Sequence, residues 1–591
     1  MFFPALCVVA FARPAAVPQA AANQQTRPPA AQAPAPAVPE PDAAYYFLLG
    51  RFFESTGKTS DAADALKKAI ALAPEDAEPR AELAELYARQ DDAADSVAAS
   101  EDALRVDPKN ADANRVLGLV LAALADQKQP LKPGDDVSTY SKRAMAALEI
   151  ARAADPDDLN LDLTLGRLYI DNDRPGDGVP LLQRVVDQQP DYTEGGLLLA
   201  EAQEASGREA AAASTLQGVL ENNPKSLRAA VQLAGLFDRE ENYSAAADAW
   251  GRAQTLNPGN TEIATRRAAA LVNAGRSQDA VGVLKDALKQ QPSDLQISLM
   301  LGRAEREAGD LDEAETTART LRTAHPDDER TTELLAQVLE ARGRYQDEID
   351  LLKPEIARLH GQASAAAQTA QLLAAEGLAF QQLHKYDEAI AAFKDGVALA
   401  PIDPVRYMLL IQGYADAGRY KEALDEADVA LQKFPQNAGI QYQQGAAFDR
   451  AGRPADAERV FRDLIARDPL DGEALNYLGY MLAEHDTSLD EAVSFIQRAL
   501  KVEPGNPSYL DSLGFAYVKE GKVDLADEPL TTAADKMPTN SAIQDHLGDL
   551  RLKQNRRADA IAAWQRALAG DGEEIDRGKI EKKIAAAKKE K

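Results

Sequence analysis

The sequence predicts an all-α fold, a right-handed α-solenoid of about 15 stacked helix-turn-helix repeats. Three observations predict it: a regular series of prolines, an apolar template repeated between them, and a short turn near the middle of each interval. Most intervals between successive prolines are 34 residues long, a regularity that the varied elements of an enzyme core do not produce. The prolines are Pro74, Pro108, Pro156, Pro190, Pro224, Pro258, Pro292, Pro326, Pro401, Pro435, Pro469, Pro504 and Pro538.

Each interval contains the pattern of two amphipathic helices. Apolar residues spaced three and four apart give one apolar stripe per helix. Small residues at fixed positions let the two helices approach closely, and the proline ends the second helix. In the first unit the template residues are Tyr46, Leu49, Gly50, Phe53, Ala62, Leu66, Ala69 and Pro74.

This template resembles the tetratricopeptide repeat (TPR), and the resemblance covers residues 43–569. It implies a superhelix whose first helix in each repeat, helix A, lines a concave groove. The repeats at 475–480, 509–515 and 545–549 are also similar to those of bacterial envelope TPR proteins, including lipoprotein adaptors of carboxy-terminal processing proteases.

The residues before the repeats predict export. Residues 1–12 form an apolar run ending in Ala10-Phe11-Ala12, which resembles a signal-peptide cleavage site. The run lacks preceding basic residues, which suggests that the natural start lies further upstream. The alternative is a disordered tail that happens to be apolar. Residues 13–41 contain eight prolines and predict a disordered linker.

Two breaks in the proline rhythm divide the repeats. The interval between Pro108 and Pro156 is longer than 34 residues. Its extra residues, at about 127–139, predict a surface loop between the two helices of the third repeat. The interval between Pro326 and Pro401 is also longer than the repeat period allows. It predicts a seam or linker at 361–369, between an N-terminal array at 43–360 and a C-terminal array at 370–569. Residues 570–591 predict a capping helix followed by a Lys-rich tail.

Charge and motifs exclude several classes of function. A formal net charge of −29 argues against nucleic-acid binding, which needs clustered basic side chains. No 18-residue apolar span occurs, so we expect no permanent membrane crossing. Gly57-Lys58-Thr59 lacks the spacing and the preceding strand of a phosphate-binding loop. The five histidines are scattered over separate repeats. We therefore predict no catalytic residues, no cofactor and no metal site.

The resemblance implies that positions 2, 5, 9 and 12 of helix A face the groove. In the last six repeats none of these positions is Lys or Arg, so this half lacks the basic clamp that chaperone-binding TPR proteins use to hold a peptide carboxylate. The residues at positions 9 and 12 are Leu378, Gln381, Gln412, Ala415, Ala446, Asp449, Tyr480, Ala483, Phe515, Val518, Asp549 and Leu552.

Within this surface we predict a binding strip that combines aromatic, amide and acidic side chains. Aromatics can anchor a peptide, an amide can bond its backbone, and carboxylates can select positive charge. The alternative is that some of these side chains pack within the superhelix. The strip consists of Tyr442, Asn476, Tyr480, Asp511, Phe515 and Asp545.

These observations predict a non-enzymatic scaffold or adaptor that binds a protein or an extended peptide in its groove. We expect it in the periplasm or associated with the bacterial envelope. The alternatives are a cytoplasmic assembly factor and a regulatory accessory of an enzyme, for example in polysaccharide biosynthesis or export.

Overall fold

The computed structural model describes residues 40–570 and 575–589. Within these ranges it contains 31 α-helices and one short 3-10 helix, and no β-strand. Helices α1 to α30 follow one another as fifteen helix-turn-helix repeats, and α31 comes after the last repeat. The predicted all-α solenoid of about 15 repeats is confirmed. The predicted signal peptide at 1–12 and nearly all of the linker at 13–41 lie outside the described residues.

The chain consists of two compact units, which divide between Gln232 and Leu233 inside α11. The helices of the first unit are α1 (Ala43–Ser55), α2 (Thr59–Leu72), α3 (Glu78–Arg89), α4 (Ala93–Val106), α5 (Ala111–Asp126), α6 (Ser138–Ala154), α7 (Leu159–Asp171), α8 (Pro175–Gln188), α9 (Thr193–Ala205), α10 (Glu209–Asn222) and the start of α11 (Leu227–Arg239).

The second unit contains the remaining helices and ends with the helix that follows the last repeat. They are α12 (Tyr243–Leu256), α13 (Thr261–Asn273), α14 (Ser277–Gln290), α15 (Leu295–Glu307), α16 (Leu311–Ala324), α17 (Glu329–Ala341), α18 (Tyr345–Leu359), α19 (Ala366–Gln382), α20 (Tyr386–Leu399), α21 (Pro404–Asp416), α22 (Tyr420–Lys433), α23 (Ala438–Arg450), α24 (Pro454–Arg467), α25 (Gly472–Glu484), α26 (Leu489–Val502), α27 (Pro507–Lys519), α28 (Val523–Lys536), α29 (Ser541–Lys553), α30 (Arg557–Ala569) and α31 (Arg577–Lys589).

A glycine in the first helix meets a large side chain of the second helix in eight of the repeats. At Gly445, an added Cβ would lie 2.8 Å from ring carbons of the fully buried Phe461. The absence of a side chain therefore lets the two helices pack closely. The pairs are Gly50–Leu66, Gly118–Leu148, Gly166–Leu182, Gly377–Phe393, Gly445–Phe461, Gly479–Ile496, Gly514–Leu530 and Gly548–Trp564.

The turn between repeats begins at the proline and ends at a helix cap. Two residues after most of the prolines, an Asp or Asn side chain accepts a backbone N–H from the first turn of the next helix, which satisfies a donor that the helix cannot. Some proline carbonyls are also bonded from the following repeat: Asn222 donates to Pro190 over 3.0 Å and Gln290 to Pro258 over 3.1 Å. The capping residues are Asn110, Asp158, Asn260, Asp294, Asp328, Asp403, Asn437, Asp471, Asn506 and Asn540.

The extra residues predicted to form a loop at 127–139 correspond to the loop at 127–137, between α5 and α6. Both flanking helices are extended, to 16 and 17 residues. The loop is held by one tyrosine: the backbone N–H of Leu131 donates to the Tyr140 hydroxyl over 3.1 Å, and that hydroxyl donates to Asp135 over 2.8 Å.

The seam predicted at 361–369 contains a 3-10 turn, Ala363–Ala365, and the first residues of α19. Helix α18 continues through Pro354, and its Leu352 packs in one core cluster with Leu373 of α19. The two compact units divide elsewhere, inside α11, so a boundary between arrays at the seam stays a prediction.

The last described helix covers the end of the repeats. Ile580 and Ile584 of α31 are buried in a cluster with Trp564 of α30. The residues that α31 leaves exposed are mainly charged, as expected for the polar outer face of a terminal cap.

We predict that Gly445→Ala destabilises the second unit by about 1–3 kcal/mol, because the new methyl group overpacks against Phe461. Urea unfolding followed by circular dichroism measures the change. The matched control is Gly282→Ala in α14, where no atom lies within 4 Å of the added Cβ. The control should be neutral or stabilising by up to about 1 kcal/mol. Equal destabilisation by both variants would contradict the role of the contact.

A second prediction concerns the buried carboxyl group of Glu348 in α18, which is 3% exposed. Burial, with a smaller contribution from Glu340, raises its pKa from 4.5 to about 8. The folded protein therefore keeps a proton that the unfolded chain releases, and stability is lost as the pH rises from about 4.5 through 8. A shift of this size corresponds to at most about 5 kcal/mol.

Glu348→Gln should remove this pH dependence while keeping the shape of the side chain. The readout is the thermal unfolding midpoint at pH values on both sides of this window. The control is Glu388→Gln, at an exposed position of α20. If Glu348→Gln loses as much stability on raising the pH as the unmodified chain, the assignment is wrong.

Candidate functional site

A pocket of about 590 Å³ opens on the second unit, along the first helices of four consecutive repeats. We call this surface of α19, α21, α23 and α25 the C-terminal groove. Three aromatic side chains, from the turn after α19 and from the starts of the second helices α20 and α22, complete its lining. The lining residues are Leu378, Gln381, Gln382, His384, Tyr386, Gln412, Ala415, Asp416, Tyr420, Asp449, Arg450, Tyr477, Tyr480 and Glu484.

The pocket wall contains residues from the groove positions that the sequence predicts. Positions 9 and 12 of α19 and α21 line it, as do position 12 of α23 and position 9 of α25. The first helices therefore face the groove in the orientation that the resemblance implies. These residues are Leu378, Gln381, Gln412, Ala415, Asp449 and Tyr480.

Two aspartates in the wall are already bonded within the chain. Asp416 accepts from Arg450 over 2.7 Å and from Gln381 over 2.6 Å. Asp449 accepts from the Tyr477 hydroxyl over 3.2 Å and lies 3.0 Å from a ring nitrogen of His485. These bonds link successive repeats and hold the wall in one arrangement. They also neutralise much of the negative charge that these two aspartates would otherwise present to a partner.

Of the six predicted strip residues, Tyr442 packs into the protein wall. Its ring lies edge-on to Phe461 and to Tyr477, with centroids 5.5 Å from each. Burial raises the pKa of Tyr442 and of Tyr477 well above the usual range, with neighbouring carboxylates adding to the effect. Tyr442 therefore matches the alternative that some strip residues pack within the superhelix.

Asn476 keeps an unused acceptor. Its Oδ1 atom is buried and accepts no hydrogen bond from the described residues, although the side chain as a whole is only half-buried. A buried amide oxygen without a donor costs free energy.

Tyr480, Phe515 and Asp511 come together in one cluster around His546. The rings of Tyr480 and Phe515 stack with centroids 5.2 Å apart, and Phe515 lies 4.6 Å from the His546 ring. Nδ1 of His546 lies 2.9 Å from an Asp511 carboxylate oxygen. Burial alone would lower the pKa of His546, but Asp511, with Asp545 and Asp549, outweighs it and raises the pKa above its usual value.

Asp545 is occupied by a lysine from the terminal helix. Nζ of Lys583 lies 2.8 Å from Asp545 and 2.7 Å from Asp549, and it also sits 5.8 Å from the Trp564 ring centroid. Asp511 and Asp545 thus both have partners inside the chain. The structure leaves the ligand-binding role of the six residues a prediction.

Sequence reasoning missed three cations beside the groove positions. Arg450 and Lys519 are the last residues of α23 and α27, one position beyond the last position assigned to the groove, and Lys583 comes from α31. Lys519 lies 5.5 Å from the Phe515 ring centroid. Inspecting the residue that follows position 12 of each first helix would have identified Arg450 and Lys519.

In the described part of the chain, no group of His, Cys, Asp and Glu is arranged to hold a metal ion. None of the helices described is both long and apolar enough to span a bilayer.

Family models for tetratricopeptide repeats match residues 43–76, 171–235, 231–295, 274–338 and 374–438. A further model, for the N-terminal TPR repeats region of Psidin, matches 410–528. The matched segments follow the same hairpins that the structure shows. The chain is a tetratricopeptide repeat protein. The matched segments lie in both compact units, so the family extends over both.

Two bacterial proteins are similar in sequence to this TPR protein. TPR repeat-containing protein PA4667 of Pseudomonas aeruginosa is 29% identical over 143 residues, which cover 24% of each chain. Cellulose synthase operon protein C of Xanthomonas axonopodis pv. citri is 26% identical over 372 residues, 58% of this chain and 24% of the relative. The match thus spans about a quarter of the length of both curated relatives.

Among solved structures, the Naa15/Naa10 complex bound to HypK-THB contains a chain 12% identical to this one, with a TM-score of 0.37; the match covers 92% of this chain and 97% of that one. YrrB, a TPR protein with an unusual peptide-binding site, is 24% identical, with a TM-score of 0.30; the match covers 34% of this chain and 96% of that one.

Proposed function

We propose that this TPR protein is a non-enzymatic scaffold or adaptor that binds an extended peptide segment of a partner protein in the C-terminal groove. The observation that carries the proposal is the pocket formed by the first helices of four consecutive repeats. A pocket shared by successive repeats suits an extended chain, because each repeat presents the same helix positions to the next stretch of ligand.

The groove offers apolar and amide groups more than free charge. Leu378 is 37% exposed and Gln412 is exposed, and both lie on the pocket wall with Tyr480. Asp416 and Asp449 are bonded within the chain, so Glu484 is the exposed carboxylate of the lining. We infer that hydrogen bonds between the amide groups of the lining and the peptide main chain, together with apolar contacts at Leu378 and Tyr480, supply most of the affinity.

We further propose that the protein acts in the bacterial cell envelope. The apolar run at 1–12 with its Ala-Phe-Ala ending supports export, as does the Pro-rich segment that follows it. Similarity to proteins of two bacteria supports a bacterial setting. A cytoplasmic assembly factor is the alternative.

A second candidate function is a regulatory accessory in polysaccharide biosynthesis or export, which the similarity to cellulose synthase operon protein C favours. In that role the groove would bind a protein of the machinery rather than the sugar chain. Sugar rings stack on exposed aromatics, whereas Trp250 and Trp564 are 3% and 0% exposed.

We predict that Leu378→Ala combined with Tyr480→Ala weakens peptide binding about 30-fold or more, since loss of two apolar anchors typically costs about 2 kcal/mol. A peptide selected from a display library on the full chain serves as the probe, and isothermal titration calorimetry gives the affinity. Leu470→Ala is the control, because Leu470 is 71% exposed and lies outside the pocket. Unchanged affinity in the double variant, with intact helical content, would exclude the groove.

We predict that the chain, expressed from its native gene, is found in the periplasmic or envelope fraction, because under this proposal the apolar run at 1–12 directs export. Cell fractionation with cytoplasmic and periplasmic markers measures the distribution. Deleting residues 2–12 should move the protein to the cytoplasmic fraction. A cytoplasmic location of the unaltered chain favours the assembly-factor alternative.

A further inference from the structure

Three aromatic rings connect the pocket wall to an ion pair two repeats further along the chain. The rings of Tyr480 and Phe515 have centroids 5.2 Å apart, and the ring of His546 lies 4.6 Å from Phe515 and 6.4 Å from Tyr480. These residues come from α25, α27 and α29, the first helices of the last three repeats. Tyr480 also lines the pocket. The three rings therefore form one cluster, and one of its members belongs to the proposed peptide site.

The carboxylate of Asp511 holds His546 in this cluster. Nδ1 of His546 lies 3.0 Å and 2.9 Å from the two carboxylate oxygens, and Asp511 is only 7% exposed. A buried carboxylate is costly unless a positive group pairs with it, and the protonated imidazole supplies that group. The bond also fixes the direction of the ring, and with it the surface against which Phe515 and Tyr480 pack.

The surroundings of His546 favour its charged form. Burial lowers its pKa, but the charge of Asp511 and the bond with it, with smaller contributions from Asp545 and Asp549, outweigh burial and raise the pKa above 6.5. Carboxylates outnumber ammonium groups near the ring. The charged and titratable side chains around the cluster are Tyr480 of α25, Asp511 and Lys519 of α27, Asp545 and Asp549 of α29, and Lys583 of α31.

We propose that the Asp511–His546 pair positions Tyr480 for peptide binding, so that the charge of His546 tunes the affinity of the C-terminal groove. This inference rests on the proposed function, because it takes Tyr480 as a contact of the peptide. His546 does not line the pocket, so it is a positioning residue that acts through the ring cluster. A wall side chain that is already held in place loses less conformational entropy when a ligand binds.

The direction of the pH effect follows from the ion pair. A protonated imidazole attracts both Asp511 and the faces of the neighbouring rings, and both attractions weaken when the proton leaves. Because the pKa of His546 is raised, the pair is fully charged below about pH 6.5 and loses its charge as the pH rises through the higher pKa of the folded protein. The groove therefore binds its peptide more tightly at the acidic end of this range.

Peptide affinity measured against pH tests the proposal. The probe is a display-selected peptide without histidine, titrated calorimetrically into the full chain. We expect its Kd to rise at least about threefold between about pH 5.5 and pH 8.5. His546→Gln keeps a donor for Asp511 but does not titrate, so it should weaken binding at the acidic end and flatten the profile. The matched control is His360→Gln, at the exposed residue that follows α18, which should leave the profile unchanged.

A second variant separates positioning from loss of stability. His546→Gln leaves Asp511 as a buried carboxylate without a cation, which destabilises the last repeats. Asp511→Asn combined with His546→Gln replaces the ion pair with two neutral amides and removes the buried charge. Its circular dichroism should match that of the unmodified chain, while its peptide binding should be weaker at the acidic end and independent of pH.

The results distinguish this proposal from the peptide site itself. If Leu378→Ala with Tyr480→Ala weakens binding but the unmodified chain shows no pH dependence, the positioning role is wrong and the peptide site stands. A pH dependence that persists in both His546 variants also overturns the role, since it would belong to another group, such as His384 in the pocket lining. Normal binding by the Leu378 and Tyr480 double variant would instead remove the proposed function, and this inference with it.

Discussion

Close contact between a glycine of one helix and a large buried side chain of its partner underlies the repeated architecture. Because Gly445 has no side chain, the ring of Phe461 can pack directly against the first helix of its hairpin, and the same contact recurs from Gly50 to Gly548. A fixed distance within each hairpin lets successive hairpins stack in the same way. The orientation of each first helix follows from this packing, and so does the surface that it turns toward a ligand.

The proline turns carry that orientation from one repeat to the next. A proline closes one hairpin, and an Asx cap two residues later starts the next helix, so each first helix begins at the same point of the repeat. Equivalent positions of α19 and α21, such as Leu378 and Gln412, consequently reach the same pocket. A change in the length of one turn would displace these positions relative to each other.

Internal charge pairing shapes what the C-terminal groove can recognise. Two acidic residues of its wall, Asp416 and Asp449, are bonded to Arg450 and to His485, each of which comes from the next repeat. These pairs stiffen the wall and reduce its attraction for basic ligands. Under the proposed function, a peptide in this groove would meet mainly the amide, hydroxyl and apolar groups of the lining.

The sequence by itself determined the all-α repeat architecture and the number of repeats, because both follow from a period that local helix geometry imposes. The groove-facing positions were expected from the resemblance to tetratricopeptide repeats. It also located the extra loop residues in the third repeat and the small residues at the helix contacts. Tertiary structure alone decided how the side chains are used. Tyr442 packs into the wall, Asp511 and Asp545 are bonded to His546 and Lys583, and Arg450 joins the pocket. These contacts join residues 19 to 38 positions apart in the chain, and they depend on how helices and repeats stack rather than on any local pattern.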